Sequence, residues 1–430
     1  MWKVAAYLCV LIGATLPLSF LHSSLASGLA GTAASLGLVL SCLALRPGEL
    51  AFLRIAIAPY FVGGLILPFW ICFQLLPLSA LAHPVWKQAA EAMDLSLSGS
   101  ISIDVGSTLQ ALMDYLTGFT VTLAAAAVAV DPRRAKWLAY TTIGVTMAFA
   151  ICAIHPSALV AGTSDQFAST NQDASGMILV VLIGALVGAS RAIEGSSLGR
   201  AAPGNRPSLE VMLSTSAAII GLAELTWLGG GYAAVPATAG LSLIIAVWAF
   251  KRLGVALWAS AGITATLAGM ALVTAVAFRG HTHVPLVIAF SAAPDDTIQT
   301  SLSLLADLPL FGIGAGTIEA LMPTYADLQG AASLPIMASA TSVLLAEFGP
   351  FVFWGLVAAV SLMIIVFFVG ALDRGRDWSF PASAAGILLA LVVASFTLPA
   401  LLPLPGVVLL AVVIGSAISQ CVSRSRSRAG

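Results

Sequence analysis

Apolar runs of roughly 20 residues, about the length needed to cross a bilayer core, recur along the whole chain between short polar breaks. The pattern predicts twelve helical spans, near 4–20, 28–46, 52–78, 107–130, 137–155, 174–193, 211–228, 232–250, 253–278, 348–371, 380–401 and 404–419. The alternating segments about 10 residues long that mark a membrane barrel are absent. One polar break is much longer than the others and runs from Arg279 to Glu347. Chains in lipid keep irregular polar backbone only where it leaves the bilayer or lines a site. Chemistry is therefore expected between Phe278 and Phe351.

Within that break, Thr297–Leu308 carries apolar residues at Ile298, Leu302, Leu305 and Leu308, the spacing of an amphipathic helix. Gly312-Ile313-Gly314-Ala315-Gly316 ends it. Thr317–Leu328 reads as helix again apart from Pro323, and a third helix, Met337–Phe348, leads into the tenth span. Loops of this length are functional or disordered, and the scarcity of charge argues for short helices capping a cavity between spans. Two smaller excursions, about 80–106 and 156–173, are expected on the same side. The chain thus divides into spans one to nine (1–278), the large loop (279–347), and spans ten to twelve with a basic tail (348–430).

Composition sharpens the class. The 430 residues are 59% hydrophobic and 9% charged, with mean hydropathy +1.02, whereas soluble chains carry about 25% charged residues. The fold class is all-α, a polytopic helical membrane protein. With both termini inside, sixteen of the eighteen Lys and Arg residues fall on inner segments, and only Lys87 and Arg279 fall outside. Met1-Trp2-Lys3 is too short and weakly basic for a cleaved signal peptide, so the first span is expected to stay. The five cysteines sit in spans or the tail, so no disulfide framework is expected. No CxxC or HExxH spacing occurs, and no metal is expected. A net charge of −1 carries no sign of a nucleic-acid partner. The tail Ser423–Arg428 suits anionic headgroups of the inner leaflet.

At the large loop the sequence resembles the O-antigen ligase and polysaccharide polymerase superfamily of bacterial inner membranes. Asp307–Gly316 is similar to its DxPLxGxGxG segment, and Leu344–Gly349 to the end of its HxxxxxxxxExG segment. Phe167–Ala174 resembles its FxNxNxxA start of a span. Gln74-Leu75-Leu76-Pro77, Val85-Trp86, Ser102-Ile103-Asp104 and Thr108-Leu109 resemble an outer loop of its exopolysaccharide branch. The resemblance covers about 70–370, in matching order, and implies a GT-C-like architecture of about twelve transmembrane helices with one large periplasmic helical loop. The chain departs from the family at three places. Ala338 stands where the family has its proposed base histidine, Pro294-Asp295-Asp296 where it has an arginine, and Thr226–Gly230 where it has a Ser-Arg pair.

The resemblance implies transfer of a glycan from a polyprenyl pyrophosphate to a hydroxyl of an acceptor glycan or lipid, with no cofactor. That reaction needs cations on the departing pyrophosphate and a base for the hydroxyl proton. Arg279 can match phosphate oxygens bidentately or snorkel to headgroups. His281 and His283 can supply the base missing at 338 or be solvated loop residues. Glu347 matches the family's carboxylate, and equally fits a first-turn acid on a helix dipole. Asn171 and Asp173 match the span-start motif and also suit a helix cap. Gly314 and Gly316 are candidate glycan or pyrophosphate contacts, though such glycines more simply permit tight turns. Lys87 beside Trp86 reads as an interfacial anchor. Asp114 and Glu224 are acids within spans, and either could pair with Arg279.

Three readings follow: a polymerase or ligase of lipid-linked glycans at the periplasmic face, a degenerate relative that binds such glycans or supports other polysaccharide-assembly proteins, and a secondary transporter. No convincing repeat between halves favours the last.

Overall fold

The computed structural model describes residues 1–21, 23–78, 80–94, 98–154, 171–199, 209–228, 230–254, 285–291, 293–318, 321, 337–374 and 377–421. Among them every regular element is helical. The helices are α1 (Trp2–Leu18), α2 (Ser23–Ala44), α3 (Pro47–Leu75), α4 (Pro84–Met93), α5 (Val105–Val128), α6 (Pro132–Ile154) and α7 (Asn171–Gly199). They continue with α8 (Leu209–Leu228), α9 (Gly230–Leu253), α10 (Asp295–Ala306), α11 (Ala340–Asp373), α12 (Ser379–Thr397) and α13 (Leu404–Cys421). Nine of the described helices are long and apolar enough to cross a membrane, so the chain is a multi-pass helical membrane protein. Nine of the expected spans fall on these helices, and the first and seventh fall on α1 and α8, which are not among the nine. The ninth expected span lies almost wholly outside the described residues, as does most of the second loop helix, Thr317–Leu328.

Burial sorts the helices. The apolar stretch of α7 is 83% buried, whereas those of α3 and α11 are 17% buried. Helix α7 is the hub of the bundle and packs against α6, α8, α9, α12 and α13, while α3 and α11 leave most of their residues unburied. Lipid supplies no hydrophobic drive between helices, so close packing must come from small residues. At the α9–α12 crossing, a Cβ on Gly240 would lie 2.7 Å from the Gly386 carbonyl oxygen, and one on Gly386 would lie 2.8 Å from that of Gly240. The two backbones touch, and neither position admits a side chain.

Charge collects at one end of the bundle, as the Lys/Arg bias predicts. There Arg134 reaches Glu49 at 2.6 Å, and Lys136 lies 3.9 Å from Asp377. Arg191 pairs with Glu194 at 3.1 Å, and Ser379 Oγ donates to the same carboxylate at 2.6 Å. Arg191 is buried between the rings of Tyr140 and Phe380. Lys251 donates to the carbonyls of Ala371, Leu372 and Arg374 at the end of α11. A cation on those carbonyls satisfies groups that a helix leaves unpaired at its C-terminus.

Replacing Gly386 with Val should lower stability by about 1–3 kcal/mol through overpacking, read as a fall in melting temperature in detergent. Gly28→Ala, which meets open space inside α2, is expected not to lower it.

Candidate functional site

The site is built where the long loop re-enters the bundle. Pro350 has no N–H, so the Ala346 carbonyl has no helical partner four residues on. Gly349, at φ 77° and ψ 163°, turns the chain out of the helix and frees the Glu347 carbonyl as well. Both carbonyls are buried, and such groups must find partners. Ile313 N donates to Ala346 O at 3.0 Å, and Gly314 N donates to Glu347 O at 3.3 Å. The loop 309–318 therefore docks on the break in α11.

Gln74 closes the arrangement from α3. Its side chain is fully buried. Nε2 donates to Glu347 O at 2.8 Å and to Phe311 O at 3.2 Å, while Oε1 accepts from Ala315 N at 3.2 Å. One amide thus ties the end of α3 to both partners. The Gln74 carbonyl in turn accepts from Ser102 N at 3.1 Å, and Ile103 N donates to Ile313 O at 3.0 Å. Ser102 Oγ and Thr108 Oγ1 are 2.7 Å apart, and Trp86 Nε1 donates to Ser102 O at 3.0 Å.

The backbones cross so closely that side chains are excluded. A Cβ on Gly312 would lie 2.3 Å from Glu347 O, and one on Gly349 would lie 2.3 Å from Leu310 O; both residues have positive φ. Trp70 and Phe73 of α3 lie ring to ring, with Phe311 6.1 Å from Trp70. Ile71, Leu112, Ala315 and Phe348 form the apolar floor.

A second layer carries position 338. Segment 285–291 and α10 enclose Ala338, which is fully buried beside Val287, Ile288 and Phe353, with Ile298, Leu302 and Leu305 packed around them. Ala338 N donates nothing to solvent, because Ser301 Oγ accepts it at 2.9 Å, and Ser291 Oγ donates to its carbonyl. Ser339 caps α11 by accepting from Ser342 N at 3.2 Å and also donates to Val287 O at 2.6 Å. Ala340 N bonds Leu398 O at 2.8 Å, which fastens this layer to the α12–α13 connection.

The expected site residues are placed unevenly. Glu347 is buried in the break, only 4% exposed, with its carbonyl at the centre of the network. Gly314 is buried and its N–H is engaged, while Gly316 is exposed; both have positive φ, as tight turns require. Asn171 and Asp173 lie in the first turn of α7. Arg279, His281 and His283 lie outside the described residues. The stretches 74–77, 85–86, 102–108, 307–316 and 344–349 do meet at one place. In the sequence Gln74 is marked only as part of the outer-loop resemblance. Its only signal was an amide in the last turn of a 29-residue apolar helix. Helix α4 was also missed.

Two titratable groups shape the segment between α3 and α5. His83 precedes α4, its N–H donates to Ser100 O at 3.0 Å, and its Nδ1 accepts from Val85 N at a long 3.4 Å. Burial holds its imidazole below the usual range. Asp104 caps α5, accepting from Ser107 Oγ at 2.7 Å, Gly106 N at 2.9 Å and Ser107 N at 3.2 Å. The Ser107 hydrogen bonds hold its carboxyl below the ordinary value.

Comparison with protein-family models, with curated proteins and with solved structures finds no match.

Gln74→Ala would strip partners from Glu347 O, Phe311 O and Ala315 N. It should cost about 1–3 kcal/mol and speed amide hydrogen exchange at Ile313, Gly314 and Ala315. Unchanged exchange there would show that the loop docks without Gln74. Acid should loosen α4 and the start of α5 in two steps. Both groups have depressed folded values, so each contributes stability that is present above its unfolded pKa and lost as pH falls. The His83 step begins below about 6.5 and the Asp104 step below about 3.9. Residue-resolved exchange against pH reads both, and His83→Asn removes the first.

Proposed function

We propose that this chain is a membrane glycosyltransferase of the polysaccharide polymerase or O-antigen ligase type, acting on polyprenyl-pyrophosphate-linked glycans. In this reading about twelve spans in a GT-C-like arrangement lie in the bacterial inner membrane, with both termini cytoplasmic and the large loop periplasmic. The product chain belongs to an exopolysaccharide, O-antigen or capsule. The observation that carries the reading is the meeting of Gln74, Ser102–Thr108, Asp307–Gly316 and Glu347–Gly349 in one interlocked cluster. These are the stretches, far apart in sequence, on which the resemblance rests.

The roles follow from the chemistry. Glu347 accepts the proton of the acceptor hydroxyl or orients that hydroxyl, being a carboxylate fixed at the break in α11. Arg279 neutralises the departing pyrophosphate, and His281 and His283 supply hydrogen bonds or a second base beside it. The glycan is already activated by its pyrophosphate, so the transfer draws on positioning and charge stabilisation.

A second reading has one specific observation in its favour. Ala338 is enclosed on all sides, with both backbone groups engaged by serines, so an imidazole at that position would have to displace Val287, Ile288 or Phe353. A relative that binds lipid-linked glycan without transferring it, as an accessory of an assembly system, fits that closure.

A deletion strain complemented with Glu347→Gln or Arg279→Ala separates the two. The enzyme reading expects polymer output to fall by about 10²-fold or more while lipid-linked intermediates accumulate and protein level stays constant. Full polymer length with both variants would overturn the enzyme reading.

A further inference from the structure

Glu224 is the one acid of the described bundle whose surroundings the site does not use and its neighbours do not explain. It lies in α8, is 5% exposed, and among the described residues neither of its oxygens meets a hydrogen-bond donor. Asp114 differs in degree: it is half-buried, and Ser27 donates to its carboxyl, although its Oδ1 meets no donor among the described residues.

The helix register fixes what Glu224 faces. A Cβ on Gly221 would lie 2.8 Å from the Ala185 side chain, and one on Gly188 would meet Ala218 N at 3.3 Å. The pair α7–α8 is therefore antiparallel, and Glu224 falls level with Leu182, which is fully buried. The charged groups on the helices packed against α8 are distant along their axes, and the nearest titratable group by level is Tyr232, two residues into α9. On α7, Arg191 is nine residues from Leu182, about 14 Å, and Asp173 is nine residues the other way. On α6, Arg133, Arg134, Lys136 and Tyr140 lie in the first turns, with only the Cys152 thiol toward the other end. On α9, Lys251 and Arg252 lie in the last turn and Tyr232 in the first. Glu210 is at the far end of α8 itself, bonded to Tyr140.

A bare carboxylate in such a place is costly, which points to a neutral, proton-carrying acid. Its two oxygens are too few to hold a metal ion without further donors. We propose that Glu224 is a proton-binding site of the bundle, a carboxylic acid set in the α7–α8 wall one helical turn from the α8–α9 connection. It takes up a proton and exchanges it through that nearby helix end, about 6 Å away along the axis. The site is separate from the α3–α11 cluster and does not depend on the glycosyltransferase reading.

An apolar carbodiimide detects such a group directly. The acid's O–H adds across one C=N bond of dicyclohexylcarbodiimide: the carboxyl oxygen bonds the central carbon and the proton goes to nitrogen. Acyl migration from oxygen to nitrogen then leaves a stable N-acylurea. The full-length protein in liposomes at neutral pH is treated with this reagent, or with a cationic water-soluble carbodiimide, and its peptides are analysed by mass spectrometry. The adduct at Glu224 should exceed that at the exposed Glu210 by at least about tenfold, form only with the apolar reagent, and decline at alkaline pH. Glu224→Gln, a neutral isostere, should abolish the adduct and keep the melting temperature. Three results would overturn the proposal. They are no adduct at Glu224, equal labelling by the water-soluble reagent, or a Gln variant that melts markedly lower or fails to fold, which means the native side chain is charged and paired.

Discussion

Every peptide group held in lipid or sealed protein must find a hydrogen-bond partner, and the Gly349–Pro350 break in α11 is where that demand organises this molecule. Breaking the helix strands two carbonyls, those of Ala346 and Glu347. The chain answers with backbone N–H groups from Ile313 and Gly314 and with the Gln74 amide from 273 residues away. Because these contacts run backbone to backbone, they tolerate no side chain at Gly312 or Gly349. A bend that would destabilise an isolated helix thereby becomes the point where α3, the 98–108 segment and the long loop are fixed together.

The two ends of the bundle solve their polar problems differently. At the break, neutral groups and glycines interlock with little charge. At the other end Arg134, Arg191 and Lys251 bind carboxylates or terminal carbonyls, and Arg191 is additionally clasped by Tyr140 and Phe380. A buried ion pair contributes little net stability but is costly to break singly. The charged end therefore fixes which helices may be neighbours, while the neutral end holds the geometry of a candidate site.

The spans were legible in the sequence because lipid imposes one length and one polarity on any helix that crosses it. Amphipathic spacing also located α10: Ile298, Leu302 and Leu305 pack as their periodicity predicts, although the helix runs Asp295–Ala306, two residues ahead of the expected Thr297–Leu308. The cluster around Gln74 was less legible. Its bonds are made mainly by main-chain atoms, which are alike at every position, and a single amide in an apolar run has no period. Arg191 was only one of the sixteen cations counted on inner segments, since charge bias records which end a residue occupies and not how deeply it is buried. Motif order pointed to Asp307–Gly316 and Glu347 but not to the seryl enclosure of Ala338, which forms only when segment 285–291 and α10 close over it.

Helix α13 has a consequence for how the protein is made. Its apolar stretch is 72% buried, it lies against α5 and α7, and Gln420 Nε2 bonds the Ala129 carbonyl at 2.6 Å. Helix α5 leaves the ribosome long before α13 does. Throughout that interval the growing chain holds in the membrane a slot lined by Gly118, Thr122 and Ala125, open to lipid or to the insertion machinery. Docking of α13 is thus a late event, and the helices made first wait in unfinished contact for a partner made much later.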